Sequence, residues 1–130
     1  MIFVDTSAIY ALLAGSDDTH RSAVRIFDRY RDRAWVSHDF VLAEAIGLVQ
    51  HRLGSAAVTS LIDAWLPLID FSPVSRDLRD AAVAEHRRRA RNRASFVDTT
   101  SFEFMRARSI TEAFAFDDDF KRAGFTLCKP

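Results

Sequence analysis

Alternating strand and helix patterns place this chain in the α/β class, with a mainly parallel sheet of four to five strands flanked by helices. Three observations carry that reading. Short apolar runs recur along the chain as candidate buried strands, beginning with Ile2-Phe3-Val4. Segments with 3.6-residue apolar spacing and capping residues separate them. A length of 130 residues suits one domain, residues 1–130, with a core of its own.

The elements follow in order. Ile2 to Val4 reads as a buried strand, and Thr6 or Ser7 can cap a short helix through about Leu13. Gly15-Ser16-Asp17-Asp18 is a turn and helix start, with Ala23, Ile26, Phe27 and Tyr30 on one face through about Arg31. Ala34-Trp35-Val36 is a second strand. Ser37 is positioned to cap a helix running to about Leu53, which Gly54 ends. A further helix runs from Ser55 to Leu66, and Pro67 breaks it. Leu68 to Phe71 is a third strand. Ser75 opens an arginine-rich helix to about Arg91, and another helix follows Asp98 to about Arg108. Glu112 to Phe116 is a fourth strand, with Phe125-Thr126-Leu127 as a short edge strand.

Formal charge is zero, from 18 basic and 18 acidic residues, so no global field draws the protein to nucleic acid or membrane. The distribution of charge is more informative than its sum. The single cysteine, Cys128, has no internal disulfide partner, which fits a reducing compartment. No apolar stretch reaches the ~18 residues of a membrane span. The chain starts directly on a strand pattern without a signal-type segment, so a cytoplasmic location is expected.

Three apolar runs stop on an aspartate: Ile2-Phe3-Val4-Asp5, Phe96-Val97-Asp98 and Phe114-Ala115-Phe116-Asp117. In open parallel sheets, sites form beyond the carboxyl ends of strands. Asp5 and Asp117 are expected there, and Asp98 at a strand end or a helix start. Glu44 has Phe40, Val41, Gly47 and Leu48 as its helical neighbours, which points its side chain inward. Acidic side chains are rarely buried unless paired. Two readings stand for Glu44, a salt bridge to an arginine or a metal ligand. Helix capping is the rival reading for Asp5 and Asp98, and a solvated turn for the Asp117-Asp118-Asp119 run. Asp63 and Asp70 also follow apolar residues. Asp63 sits beside polar Thr59 and Ser60, and Asp70 precedes Phe71 on an outward-facing strand position, so both are set aside. Oxygen ligands suit Mg²⁺ and Mn²⁺, and such a site can activate water against a phosphodiester.

At these residues the chain resembles PIN-domain proteins, above all the VapC toxins of type II toxin–antitoxin pairs. Val4-Asp5-Thr6-Ser7-Ala8 is similar to that family's opening signature, and Glu44 to its glutamate on the third helix. Ser95-Phe96-Val97-Asp98-Thr99-Thr100-Ser101-Phe102 resembles its third acidic motif, and Phe116-Asp117-Asp118-Asp119-Phe120 its closing one, with Asp117 as the motif residue. The resemblance spans nearly the whole chain. It implies a PIN-like, Rossmann-like sheet and a Mg²⁺- or Mn²⁺-dependent endoribonuclease acting on RNA. It further implies a small cognate VapB-like antitoxin and a homodimer. Asp5, Glu44, Asp98 and Asp117 are the expected metal-binding and catalytic residues. One departure is Ala115, where relatives often carry a hydroxyl residue.

Thr6 and Ser101 are candidates to support the carboxylates by hydrogen bonds, although capping explains them nearly as well. Arginines cluster between Arg76 and Arg93. Arg91 and Arg93, just before Asp98, are the candidate RNA contacts, with a solvated helix face as the alternative. His20, His38, His51 and His86 share no metal spacing, and none is assigned as ligand or base. The expected function is RNA hydrolysis by a toxin of a toxin–antitoxin pair. The alternatives are a non-toxin PIN nuclease and a binding-only PIN-like module. A response-regulator receiver would need paired acids at the first strand. A haloacid-dehalogenase-like phosphatase would need an aspartate where Ser7 stands.

Overall fold

Ile2, Phe3 and Val4 are at most 2% exposed, as only a strand covered on both faces would have them. This strand, β1 (Ile2–Val4), is central in a five-stranded sheet of order β3-β2-β1-β4-β5. The computed structural model describes residues 1–89 and 94–130. The remaining strands are β2 (Trp35–His38), β3 (Asp70–Ser72), β4 (Glu112–Phe114) and β5 (Thr126–Leu127). Every pairing is parallel, with Ile2 opposite Trp35 on one side and Val4 opposite Phe114 on the other.

Among the described residues, seven α-helices connect and flank these strands. They are α1 (Thr6–Leu13), α2 (His20–Arg29), α3 (Asp39–Leu53), α4 (Ser55–Ser60), α5 (Arg76–Arg88), α6 (Phe96–Ala107) and α7 (Asp119–Arg122). Among the described residues, no helix is long and apolar enough to cross a membrane. Alternation along β1 sends Phe3 to one face, where its ring meets His38, Phe104 and Phe120. On the other face Trp35 packs against Phe27 and Phe114, and Trp65 meets Phe27 edge-on.

Several boundaries differ from the sequence expectation, each for a local reason. Strand β2 continues through His38, so Ser37 is not the cap of α3. Its hydroxyl donates instead to the Val4 carbonyl at 2.8 Å, and His38 Nδ1 caps the helix by accepting from Val41 N–H. The expected helix from Ser55 to Leu66 changes winding at Leu61, to a π turn over Leu61–Trp65 and a 3-10 turn over Leu66–Leu68. Pro67 has no N–H and its ring crowds the carbonyl four residues back, so α-helical bonding cannot run through it. Strand β4 stops at Phe114 rather than Phe116, because the Phe116 N–H turns away to Ser7 Oγ at 3.0 Å. Phe96-Val97-Asp98 is not a strand but the first turn of α6.

The chain moves from β1 through β2 to β3 on one side, then places β4 and β5 on the other. The crevice beyond the carboxyl ends of β1 and β4 is therefore the switch point of the sheet, where α/β proteins hold their ligands.

Candidate functional site

Asp5 follows β1 and caps α1. Its Oδ2 accepts from Ser7 N–H at 3.1 Å and from Ser7 Oγ–H at 2.6 Å. The same Ser7 oxygen accepts from Phe116 N–H. One hydroxyl thus ties the end of β1 to the segment that leads into Asp117. Asp5 is 2% exposed, and among the described residues its Oδ1 is buried without a hydrogen-bond partner, as is Thr6 Oγ1. Burial pushes the Asp5 carboxyl up to about 7. The charges of Asp117 and Asp98 add to the rise, and the Ser7 bonds oppose it.

Asp98 is the third residue of α6 and closes a capping box. Ser95 Oγ accepts from Asp98 N–H, while Asp98 Oδ2 accepts from Ser95 N–H. The capping reading is therefore correct for Asp98, and it coexists with membership of an acidic group. Burial raises its carboxyl to about 6, with the Asp117 and Asp119 charges contributing. Asp117 lies three residues beyond β4, half-buried, with Oδ1 accepting from Asp119 N–H. Its carboxyl is also raised, first by burial and then by the charges of Asp119 and Asp118. Three aspartates from β1, α6 and the β4–α7 turn thus share one electrostatic neighbourhood.

Glu44 requires a correction. Its side chain does not face inward but is exposed on α3. The buried stripe of that helix runs Val41, Ala45, Val49, and Glu44 is one residue, about 100°, off it. Glu44 instead lines an open groove with Phe40, Ala43, Phe96 and Val97, the last two immediately preceding Asp98. Ser101 is buried one turn after Asp98 on α6. Its hydroxyl donates to Val97 O at 3.0 Å and accepts from His38 Nε2 at 2.9 Å. Arg91 and Arg93 lie outside the described residues. Asp63 and Asp70 are exposed.

Two participants escaped the sequence reading. Ser7 was visible only as a helix-capping candidate, although a hydroxyl two residues after an aspartate at a strand end is placed to bond it. Asp119 was dismissed as a solvated turn residue. Its side chain is only 21% exposed and pairs with Arg122 at 2.8 Å.

Among the described residues, no three His, Cys, Asp or Glu side chains are grouped so as to hold a metal ion. The donor set is nevertheless entirely oxygen, and the orphaned Asp5 Oδ1 is a buried acceptor that a cation would satisfy. The residues present therefore fit a hard divalent ion.

Residues 2–126 match the PIN domain family. The chain belongs to the PIN-domain family. This PIN domain is 36% identical over 131 residues to 23S rRNA-specific endonuclease VapC20 of Mycobacterium tuberculosis, across 100% of this chain and 99% of that one. The crystal structure of Mycobacterium tuberculosis VapC20, described as a sarcin–ricin loop cleaving toxin, superposes with a TM-score of 0.90 at 34% identity, covering 100% of both chains. FitAcB from Neisseria gonorrhoeae (TM-score 0.75, 16% identity) covers 100% of this chain and 98% of its own. VapBC2 from Rickettsia felis, solved on a promoter DNA fragment, has a TM-score of 0.72 at 15% identity, with 98% and 97% covered. These last two share the PIN fold. The motif resemblance to VapC toxins is borne out by the full-length similarity to VapC20.

Proposed function

We propose that this PIN domain is an endoribonuclease of the VapC kind, the toxin of a toxin–antitoxin pair, with a Mg²⁺ or Mn²⁺ site at its acidic cluster. The observation that carries the reading is Asp5, whose buried and unpartnered Oδ1 stands among the charges of Asp98 and Asp117 at the switch point. Full-length similarity to a named rRNA endonuclease supports it. It also supports a looped rRNA segment of the sarcin–ricin kind as the substrate. A cognate VapB-like antitoxin and a homodimer belong to the same proposal.

In this reading Asp5, Asp98 and Asp117 hold the cation, and Glu44 serves turnover from the groove rim. A divalent ion there supplies activation of a water and offsets charge on the leaving oxygen of the phosphodiester. The protein's own contributions are separate. Ser7 fixes the orientation of Asp5 and the approach of the segment bearing Asp117. Thr6 Oγ1, buried and unpartnered, is available to a bound water or phosphate oxygen. Asp5 and Asp98 must shed protons to take up the ion, so uptake releases protons below neutral pH. Arg91 and Arg93 remain the proposed RNA contacts. Replacing both by alanine is expected to weaken RNA binding and flatten its salt dependence.

The test is cleavage of total RNA and of 23S rRNA by the purified protein in Mg²⁺ or Mn²⁺, with Asp5→Asn and chelator as controls. Cleavage that survives in Asp5→Asn and in chelator would overturn the proposal.

A further inference from the structure

The groove between the N-terminal turns of α3 and α6 is lined by Phe40, Ala43, Glu44, Phe96 and Val97. Phe40 and Phe96 are half-buried, and their ring centroids stand 6.0 Å apart at 40°. Each ring is braced edge-on by a histidine. His38 meets Phe40 at 6.0 Å and 89°, and His86 meets Phe96 at 5.6 Å and 75°. Both histidines are themselves held. His38 Nε2 donates to Ser101 Oγ. Thr99 Oγ1 gives its proton to Ser95 O, so it accepts from His86 Nδ1 at 3.0 Å. A preorganised aromatic pair therefore opens to solvent, its Phe96 two residues before Asp98.

The lining says what chemistry fits. Among the described residues, no lysine or arginine lines the groove, and the one ionisable residue there is Glu44, so a phosphate is disfavoured. Aromatic faces offer stacking, which unpaired bases use and which discriminates little among them. A phosphodiester cleaved beside Asp98 carries a nucleoside on each side, and the surface adjoining that carboxylate on α3 and α6 is this groove.

We propose that Phe40 and Phe96 form a stacking platform for the unpaired nucleobase that flanks the scissile phosphate. The proposal rests on the ribonuclease reading above and narrows its substrate to RNA whose flanking base is free of a duplex.

The experiment uses a synthetic sarcin–ricin-type RNA hairpin and the same hairpin with an abasic residue on either side of the cleaved bond. Phe40→Leu and Phe96→Leu keep apolar volume and remove the stacking face. Each should lower kcat/KM on the intact hairpin by about tenfold to a hundredfold. Phe96→Tyr should stay near wild type, and the Mn²⁺-induced rise in Tm should be unchanged in all three. One abasic substitution should cost the wild type a similar factor and cost Phe96→Leu little more. Equal abasic penalties in wild type and Phe96→Leu would overturn the platform. So would leucine variants that cleave normally but escape inhibition by the cognate antitoxin, which would give the groove to a protein partner. If the wild type cleaves no RNA, the ribonuclease reading itself fails, a result distinct from cleavage that ignores the flanking base.

Discussion

Ser7 Oγ lies 2.6 Å from Asp5 Oδ2, and the same oxygen accepts the Phe116 N–H at 3.0 Å. This single hydroxyl orients a buried carboxylate and pins the segment that delivers Asp117. It also supplies a hydroxyl close to Ala115, the position where the family often carries one.

Ser7→Ala is therefore expected to weaken the site without unfolding the protein. Groups that orient metal ligands typically cost 10–100-fold in affinity or activity when removed. The variant should need about tenfold more Mn²⁺ for half-maximal cleavage. Activity and Mn²⁺ titration by thermal shift together check this. Wild-type Mn²⁺ dependence in Ser7→Ala would remove Ser7 from the site.

Asp5 gives the metal-free protein a pH dependence whose sign can be worked out. Its folded pKa of about 7 lies above the ordinary 3.8, so folding favours the protonated form. The associated stability is fully present below about pH 4 and is lost as pH rises through about 7. A shift of about three units corresponds to roughly 4 kcal/mol at the upper limit. Asp5→Asn keeps an acceptor for Ser7 and carries no charge to bury. It should unfold at higher urea than wild type at pH 8 in chelator and at a similar concentration at pH 4.

His38 titrates in the opposite sense. Burial holds its imidazole down at about 4, below the ordinary 6.5, so folding favours the neutral ring. The bonding network agrees: Nδ1 accepts from Val41 N–H, leaving the proton on Nε2 to reach Ser101. The stability contribution is present above about pH 6.5 and lost as pH falls through about 4. His38→Asn retains a capping oxygen but abandons Ser101. It should be less stable than wild type by about 1–3 kcal/mol at pH 7.5, and the gap should narrow on acidification. Because Asp5 and His38 oppose each other between pH 4 and 7, the wild-type curve should be flatter than that of either variant.

What the sequence could disclose was set by locality. Strand β1, the caps at Ser75 and Gly54, and the aspartate ends at Asp5 and Asp117 depend on neighbours within a few residues, and each was legible. Glu44 was misread because α3 is apolar on its solvent side as well, where Ala43 and Gly47 are exposed. Apolar neighbours then no longer mark the inner face. The Ser7–Phe116 and His38–Ser101 bonds join residues 109 and 63 positions apart. No spacing rule reaches across such separations, although both polar partners could be seen as candidates for capping.

The exposed position of Glu44 separates metal holding from turnover. The charges of Asp98 and Asp117 raise the Asp5 carboxyl, and that of Asp117 raises Asp98, whereas Glu44 stands on the groove rim. A ligand that binds the native state raises Tm in proportion to its affinity and concentration. Asp5→Asn and Asp98→Asn should therefore lose most of the Mn²⁺-induced rise in Tm at pH 7.5, while Glu44→Gln keeps most of it. Cleavage should fall by at least about tenfold in all three. Lowering the pH from 7.5 to 5.5 should shrink the wild-type Mn²⁺ shift, because protons compete for Asp5 and Asp98. A Glu44→Gln variant that loses the shift as fully as Asp5→Asn would instead place Glu44 among the direct ligands, with its side chain turned toward the aspartates when the ion is bound.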